Sequence, residues 1–415
     1  MGHDGYPWSA REGQQITFGD SPFIDAFGRL RVSEPYTIFD SKLLHDAQAE
    51  LWDDAEVSGA NTNSTYNANR SSVSISVDSV AGRRVRQTFQ RFNYQPGKSQ
   101  KATMTGILGA SGGGTGITRC AGLYDNNNGI FFKDDQGTIK AVIRSSVSGT
   151  PSDDEVAQSD WNIDTLDGKG PSKISLDGSK GQILVFDYEW LSIGRVRVGF
   201  MFRGKIVYCH EFDHANIVTS AYMSTPNLPM RYEIENDGSG VASSLECICG
   251  DIVSEGGQSH NGIEYYESTE GTHIDCATAN VLYPIIGMRL KSTHLDSSVE
   301  VAKLSMLNET ADNFEWVFCH NPTLSGAATF NPISGTAVEI AINTGGSLTV
   351  TTPNHKMKGG FIKSSGSSGS IARELKDMLH LGADIANVQD EQWLCCRPLS
   401  ANADIEAGIT WRELS

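Results

Sequence analysis

The stretch RVRVGFMFRGKIVYCHEF, residues 195–212, carries the pattern of a β-hairpin. Apolar side chains occupy alternate positions on either side of Arg203-Gly204, a pair suited to a tight turn. The predicted shared face holds Val196, Val198, Phe200 and Phe202 on the first strand and Ile206, Tyr208, His210 and Phe212 on the second. Alternation with period two places all eight side chains on one side of the sheet. We therefore predict two antiparallel strands with one buried face.

The same period recurs along most of the chain. Residues 73–77 alternate Val and Ile with Ser, and residues 118–145 contain three such runs. The turns between those runs fall at residues 125–129, which end in Asn-Gly, and at residues 134–137. Helical spacing is rare, and only Ile371, Leu375, Met378 and Leu379 fit one face of an amphipathic helix. This pattern predicts an all-β protein with one short helix.

Composition and charge exclude several classes of protein. The chain has 415 residues with 43 glycines, 20% charged residues and a net charge of −17. Such acidity opposes binding to phosphate backbones and to anionic membrane surfaces, so we expect neither nucleic acid nor membrane as a partner. No apolar run approaches the roughly 20 residues of a spanning helix. Because the N-terminus also lacks an apolar signal core, we expect synthesis in a cytoplasm.

Residues 210–214, His-Glu-Phe-Asp-His, match the zinc-protease motif H-E-x-x-H. That motif works on a helix, where the two histidines lie on one face. Here it continues a strand, in which four residues separate the histidines by roughly 13 Å. We therefore interpret it as the end of a strand, with no metal site. A site would still be possible if the strand ended at Phe212.

The eight cysteines are too few for a disulfide scaffold in a chain of this length, and their spacing does not fit a zinc ribbon. Acidic clusters such as Asp153-Asp154-Glu155 are interpreted as solvated loops and turns. Residues 125–129 offer the oxygen ligands of a calcium loop but lack the following bidentate Glu of an EF-hand. A structural calcium remains an alternative there. No phosphate-binding loop or nucleophile elbow is present, and we expect no cofactor.

Residues 79–101 form a basic stretch with interleaved aromatic residues and no acidic residue. A surface that stacks nucleic-acid bases has this composition. The alternative, which the acidity of the whole chain favours, is a basic strand face. We expect that face to pair with the acidic surface of a neighbouring subunit or partner.

Several segments together resemble a family of tailed-bacteriophage virion structural proteins that has relatives in some large viruses. They are SPFIDAFGRLRVSEP (residues 21–35) with FDSK (39–42), FDYEWLSIGRVRVGF (186–200), HEFDHAN (210–216), PNLPMRYEI (226–234), LYPIIGMRLK (282–291) and NPTLSG (321–326). The resemblance covers most of the chain. It implies a particle component such as a head spike or decoration, a fibre or a tail part, and it brings no catalytic residues.

The patterns and the resemblance together predict a four-part organisation. Residues 1–45 form an extended N-terminal assembly arm, and residues 46–254 form a lectin-like β-sandwich or jelly roll. Residues 255–262 are a linker, and residues 263–415 form a second β-sandwich with the short helix. The expected function is that of a non-enzymatic virion component, synthesised in the host cytoplasm, that forms homo-oligomers and binds other virion proteins.

The predicted assembly residues are Phe23, Phe27, Arg29 and Arg31. Burial of the aromatic rings against a neighbouring protein would supply affinity, and the arginines would pair with carboxylates. One alternative is a module of a fibre or spike that recognises host surface glycans through the first sandwich. A second is a polysaccharide-degrading or zinc-dependent hydrolase, for which the sequence offers no positive motif.

Overall fold

The computed structural model describes residues 24–31, 34–109, 114–259, 261–310, 312–363, 373–374, 380–400 and 402–414. These residues divide into two compact units. The first holds the described residues up to Gln87 together with Tyr94–Ser259. The second holds Thr88–Asn93 and the described residues from 261 onward. Each unit is described by itself.

The first unit is built from fifteen strands. They are β1 (Tyr36–Lys42), β2 (Trp52–Gly59), β3 (Asn63–Asn67), β4 (Ser72–Val77), β5 (Gly82–Thr88), β6 (Ser99–Ile107), β7 (Ile117–Tyr124), β8 (Gly129–Asp135), β9 (Thr138–Ser145), β10 (Ser152–Ala157), β11 (Gln182–Tyr188), β12 (Val196–Phe202), β13 (Lys205–Phe212), β14 (Met230–Asn236) and β15 (Ser243–Glu255). A short 3-10 helix, Gln158–Asp160, follows β10.

Two antiparallel sheets make up this unit. The eight-stranded sheet has the order β13-β12-β11-β6-β15-β4-β3, with β1 paired to β15. The seven-stranded sheet has the order β10-β9-β8-β7-β14-β5-β2. Phe132 of β8 packs against Phe186 of β11 and Phe200 of β12, at ring-centroid distances of 5.5 and 4.7 Å. These contacts join the two sheets face to face, so the predicted β-sandwich is confirmed.

The predicted hairpin is confirmed as the pair β12 and β13, but half of its second strand faces the opposite way. Phe202 lies opposite Lys205, and both turn residues, Arg203 and Gly204, have positive φ. The register shifts between Val198 and Gly199, so that Cys209 is an extra residue. His210 therefore shares the face of Val198, whereas Tyr208 shares the face of Gly199. The prediction that Tyr208 points into the core is wrong because the bulge reverses the alternation.

The second unit is also all β. Its strands are β16 (Gly262–Ser268), β17 (Ile274–Cys276), β18 (Tyr283–Leu290), β19 (Ser298–Asn308), β20 (Phe314–His320), β21 (Thr323–Leu324), β22 (Asn331–Pro332), β23 (Val338–Ile342), β24 (Val350–Thr352), β25 (His355–Ile362), β26 (Arg373–Glu374), β27 (Gln392–Pro398) and β28 (Ala403–Leu414). A 3-10 helix spans Thr344–Gly346. The described part of the chain contains no α-helix.

Three sheets form the second unit. A five-stranded sheet has the order β16-β28-β19-β26, with β17 paired to β28, and a six-stranded sheet has the order β22-β23-β18-β27-β20-β25. Strands β21 and β24 form a small separate sheet. One apolar core contains Leu304 and Trp411 of the five-stranded sheet and Met288 and Phe318 of the six-stranded sheet. The predicted helix rests on Ile371, Leu375, Met378 and Leu379, which lie outside the described residues.

Candidate functional site

Two of the four predicted assembly residues, Phe27 and Arg29, lie in one short turn. Asp25 organises this turn, because its carboxylate accepts hydrogen bonds from the backbone N–H and the Nε of Arg29, each at 2.8 Å. The backbone reverses at Gly28, which has a φ of 75°, a conformation that suits glycine. The guanidinium of Arg29 lies over the ring of Phe27, 4.7 Å from its centroid. Phe27 and Arg29 therefore form one surface group, and Phe23 lies outside the described residues.

Arg31 has a different environment from Arg29. Its guanidinium lies 2.6 Å from the Asp187 carboxylate and 3.0 Å from the Tyr208 hydroxyl, and it also pairs with Glu255. Only 14% of the Arg31 side chain is exposed, against 49% for Arg29. Arg31 therefore binds inside its own unit, and Arg29 is the arginine of this segment that a partner can reach.

Asp187 of β11 is the centre of this contact. Its side chain is fully buried and accepts hydrogen bonds from the Arg197 guanidinium at 2.7 Å, the Tyr208 hydroxyl at 2.5 Å and the Ser99 hydroxyl at 2.8 Å, in addition to Arg31. A buried carboxylate is stable only when it is paired and hydrogen-bonded in this way. We call the group Arg31, Asp187, Arg195, Arg197 and Tyr208 the N-terminal clamp.

The buried Asp187 carboxylate stays charged because the positive charges of the clamp arginines compensate it. Burial alone would raise the pKa of Asp187, but the guanidiniums of Arg31 and Arg197 outweigh it and hold the pKa below its usual value. Burial also acts on Tyr208, and together with the Asp187 charge it raises the pKa of the phenol. At neutral pH the cluster therefore contains an ionised Asp187 and a neutral Tyr208.

The clamp also holds the backbone of the N-terminal segment. Arg197 donates to the carbonyl of Ile24 at 2.9 Å, and Arg31 donates to the same carbonyl at 3.0 Å. Arg195 donates to the carbonyl of Ala26 and forms an ion pair with Glu211 at 3.2 Å. Two carbonyls of residues 24–26 are thereby held by Arg197 of strand β12 and by Arg195, the residue just before that strand. The arrangement can hold a segment in place, but its charged groups are buried and paired, so they are not free to act on a substrate.

Sequence reasoning anticipated only part of this cluster. The alternation in β12 placed Arg195 and Arg197 on the face opposite the core, which is the face of the clamp. Tyr208 was assigned to the core face instead, and no role was predicted for Asp187. Asp187 is the single acidic residue of the largely apolar strand β11. A lone acid in a buried strand is a sequence signal from which a buried ion pair could have been predicted.

Strand β13 ends at Phe212, so His210 lies on the strand and His214 lies two residues beyond it. This is the case in which a metal site was still possible, and the surroundings of the two histidines decide between the two interpretations. The Nδ1 atom of His210 accepts a hydrogen bond from the backbone N–H of Asn162 at 3.3 Å. His214 donates from Nδ1 to the Gly194 carbonyl at 2.6 Å, and its ring stacks on Tyr222 with centroids 4.1 Å apart. Burial lowers the pKa of both imidazoles. Each histidine has its own structural partners.

The candidate calcium loop is a tight turn. Asp125 accepts backbone hydrogen bonds from Asn127 at 2.7 Å and from Asn128 at 2.8 Å. Asn128 in turn accepts from the backbone N–H of Ser224 at 3.0 Å. These side chains fix the loop by hydrogen bonds. Among the residues that the structure describes, no three His, Cys, Asp or Glu side chains are grouped to hold a metal ion.

Three arginines of the basic stretch are paired within the first unit. Arg83 pairs with Glu233, and Arg84 and Arg86 both pair with Asp54. The expectation that this face pairs with the acidic surface of a neighbouring subunit is therefore wrong for these three arginines. Their partners lie on neighbouring strands, β14 and β2, which the sequence spacing did not reveal.

Comparisons with known proteins give structural similarities only. No protein-family model and no curated protein sequence matches this chain. The solved structures that match include an endo-1,3-beta-glucanase from Streptomyces sioyaensis, with 9% identity, a TM-score of 0.33 and coverage of 54% of this chain and 97% of that one. A legume lectin-like domain from Entamoeba histolytica has 12% identity, a TM-score of 0.31 and coverage of 53% and 98%.

A third match is the exoplasmic/lumenal domain of VIP36 in a form bound to Ca²⁺ and Man3GlcNAc. It has 12% identity and a TM-score of 0.31, and the match covers 55% of this chain and 93% of that one. At these TM-scores none of the three supports an inference about what this chain does. In the described residues, no helix is long and apolar enough to cross a membrane.

Proposed function

We propose that this protein is a non-enzymatic structural component of a bacteriophage virion, which assembles as a homo-oligomer and is anchored through its N-terminal segment. The observation that carries the proposal is the N-terminal clamp. Residues 21–35 and 186–200 are two of the segments that resemble the virion family. The clamp joins them through the ion pair of Arg31 with Asp187 and through the bond from Arg197 to the Ile24 carbonyl.

An anchor has to transmit force from the bound segment to the folded body. The clamp does this through several bonds at once, because the carbonyls of Ile24 and Ala26 and the side chain of Arg31 are all held by the sheet. Load on the chain ahead of Ile24 would therefore fall on β11 and β12, two inner strands of the eight-stranded sheet, through Asp187 and Arg197.

The surface group of Phe27 and Arg29 is the proposed contact with a neighbouring virion protein. Phe27 is half-buried and Arg29 is about half exposed, so both can lose further surface on binding. Complete burial of an aromatic side chain is worth about 1.5–3 kcal/mol. Arg29 also retains donors that can pair with a carboxylate of the partner.

The test is incorporation into particles, with truncation just before Ile24. Deletion of residues 1–23 retains every residue of the clamp and of β1, whereas deletion up to Lys42 would remove β1 and leave the buried Asp187 without Arg31. We expect the truncated protein to keep the thermal unfolding transition of the full chain and to be lost from purified particles. Truncated protein that enters particles at the normal level would contradict an anchoring role for residues 1–23, Phe23 included, whereas Phe27→Ala tests the contact that the truncation retains.

Two further measurements complete the test. Phe27→Ala should reduce incorporation, whereas Ile217→Ala, which changes an apolar residue that is 68% exposed elsewhere in the same unit, should not. Light scattering on the purified full chain should give an integral multiple of the chain mass. A monomer at working concentrations would exclude the homo-oligomer.

A further inference from the structure

The outer face of the seven-stranded sheet in the first unit carries a cleft that the clamp does not use. On β14, Tyr232 and Ile234 point into the sandwich core, and Glu233 and Glu235 point to the opposite face. That face has a small apolar floor of buried side chains on β7, β8 and β9. Its members are Cys120, Tyr124, Phe131 and Val142. Tyr124 and Phe131 stack with their centroids 4.3 Å apart.

The cleft itself has a volume of about 570 Å³, which lies within the range of small-molecule binding sites. Its polar lining comes from four strands and one turn. These side chains are Arg83, Asn126, Arg144, Asp153, Glu233 and Glu235. A volume of this size with six polar groups can hold a polar ligand and satisfy it with several hydrogen bonds.

Four of the five charged groups of the lining are fixed before any ligand arrives. Arg83 donates to Glu233 at 2.7 Å, and Arg144 holds Asp153 through two bonds of 2.7 and 2.9 Å. The Arg144 guanidinium also lies over the Phe131 ring, 5.2 Å from its centroid. The planar guanidinium of Arg144 is held by both a carboxylate and an aromatic ring, so it loses little conformational freedom when a ligand binds, and this favours affinity.

Two groups at the cleft have unused hydrogen-bonding capacity. The Asn126 Oδ1 accepts from Arg231 at 3.1 Å, but its Nδ2 donates to none of the described residues. The Glu235 carboxylate is half-buried and accepts no hydrogen bond from the described part of the chain. A free amide donor and a free carboxylate acceptor therefore lie beside the fixed guanidiniums of Arg83 and Arg144.

From this arrangement we propose that the cleft binds a neutral saccharide. Each sugar hydroxyl is both a donor and an acceptor, so it can donate to Glu235 and accept from Asn126 or Arg83. An anionic ligand would be repelled by Glu235, the one carboxylate of the lining that is not in an ion pair with Arg83 or Arg144. The inference does not depend on the virion role, because it rests on the side chains of this face alone.

Saturation-transfer NMR on the purified full chain, with neutral oligosaccharides of glucose, mannose and galactose as probes, tests the proposal. We expect at least one probe to bind with a Kd on the order of 1 mM or tighter. Asn126→Ala and Glu235→Ala should each weaken that binding by at least about tenfold, because each removes a hydrogen bond to the sugar. Asp160→Asn, which changes an exposed acid outside the cleft, should leave the Kd unchanged.

Each other outcome overturns the proposal. Absence of any saturation transfer from all the neutral probes would exclude the ligand class. Binding that survives both cleft substitutions would place the saccharide elsewhere on the protein. Preference for sialylated or sulfated probes over neutral ones would show that the site selects anions.

Circular dichroism of both variants verifies that they are folded, and neither side chain supports the fold through a strong ion pair. The oligomeric state and incorporation into particles are read separately, so failure of either proposal leaves the other standing.

Discussion

The guanidinium of Arg31 lies 2.6 Å from the carboxylate of Asp187, although 156 positions separate the two residues in sequence. Asp187 is on β11, which lies between β6 and β12 inside the eight-stranded sheet. The contact therefore ties the start of the described chain to the middle of the sheet. Because the carboxylate is fully buried, the pair is part of the interior, and loss of either partner would leave an uncompensated buried charge.

Replacement of Asp187 by Asn should strongly destabilise the first unit. The substitution leaves the buried guanidiniums of Arg31 and Arg197 without their shared counter-charge. Removal of one partner of a buried ion pair costs about 3–5 kcal/mol. Urea unfolding measures the loss. Asp40→Asn is the matched control because Asp40 is 63% exposed and pairs with Lys42 at 3.7 Å, so its effect should stay within about 0.5 kcal/mol. Equal effects of the two substitutions would contradict the prediction.

Stability should fall in acid, and Asp187 should contribute to that fall. Its pKa in the folded protein is lowered, so between the folded and unfolded values the unfolded chain binds the extra proton. The stabilisation by Asp187 is complete above the unfolded-state pKa of about 3.9, and it is lost as the pH falls through the lower folded-state value. Urea midpoints of the wild type and Asp187→Asn, measured from neutral pH down to this window, should converge. Parallel pH profiles would show that Asp187 does not titrate as proposed.

Local pattern predicted the strands and turns well, because alternation and turn residues act over a few positions. The turn residues Gln136 and Gly137 both have positive φ and join β8 to β9, as the pattern of residues 134–137 indicated. What local pattern did not reveal was the bulge at Cys209 and the long-range partners. Whether Arg84 pairs with Asp54 or with another molecule depends on which strands are neighbours, and the spacing of charges along the chain does not contain that information.

Removal of metal ions should not change the stability of the protein, because the H-E-x-x-H histidines already have protein partners. His210 and His214 lie on and just after a strand, and the Nδ1 atoms already bond to Asn162 and Gly194. We expect the melting temperature to be the same before and after treatment with a chelator. We also expect titration with zinc to show no binding that His214→Ala removes. Stoichiometric zinc in the purified protein, lost in that variant, would restore the hydrolase interpretation.

Gly287→Ala should destabilise the second unit. Gly287 on β18 lies opposite Trp393 on β27, and a Cβ atom at this position would overlap the indole ring, which is fully buried. Overpacking of this kind costs about 1–3 kcal/mol because the ring has no free space to enter. Near-UV circular dichroism during thermal unfolding measures the change. Gly181→Ala is the matched control, since a Cβ there meets nothing within 4 Å and should shift stability by less than about 1 kcal/mol. Unchanged unfolding of Gly287→Ala would show that the Trp393 ring can move aside, and the close approach of β18 to β27 would then not explain the glycine.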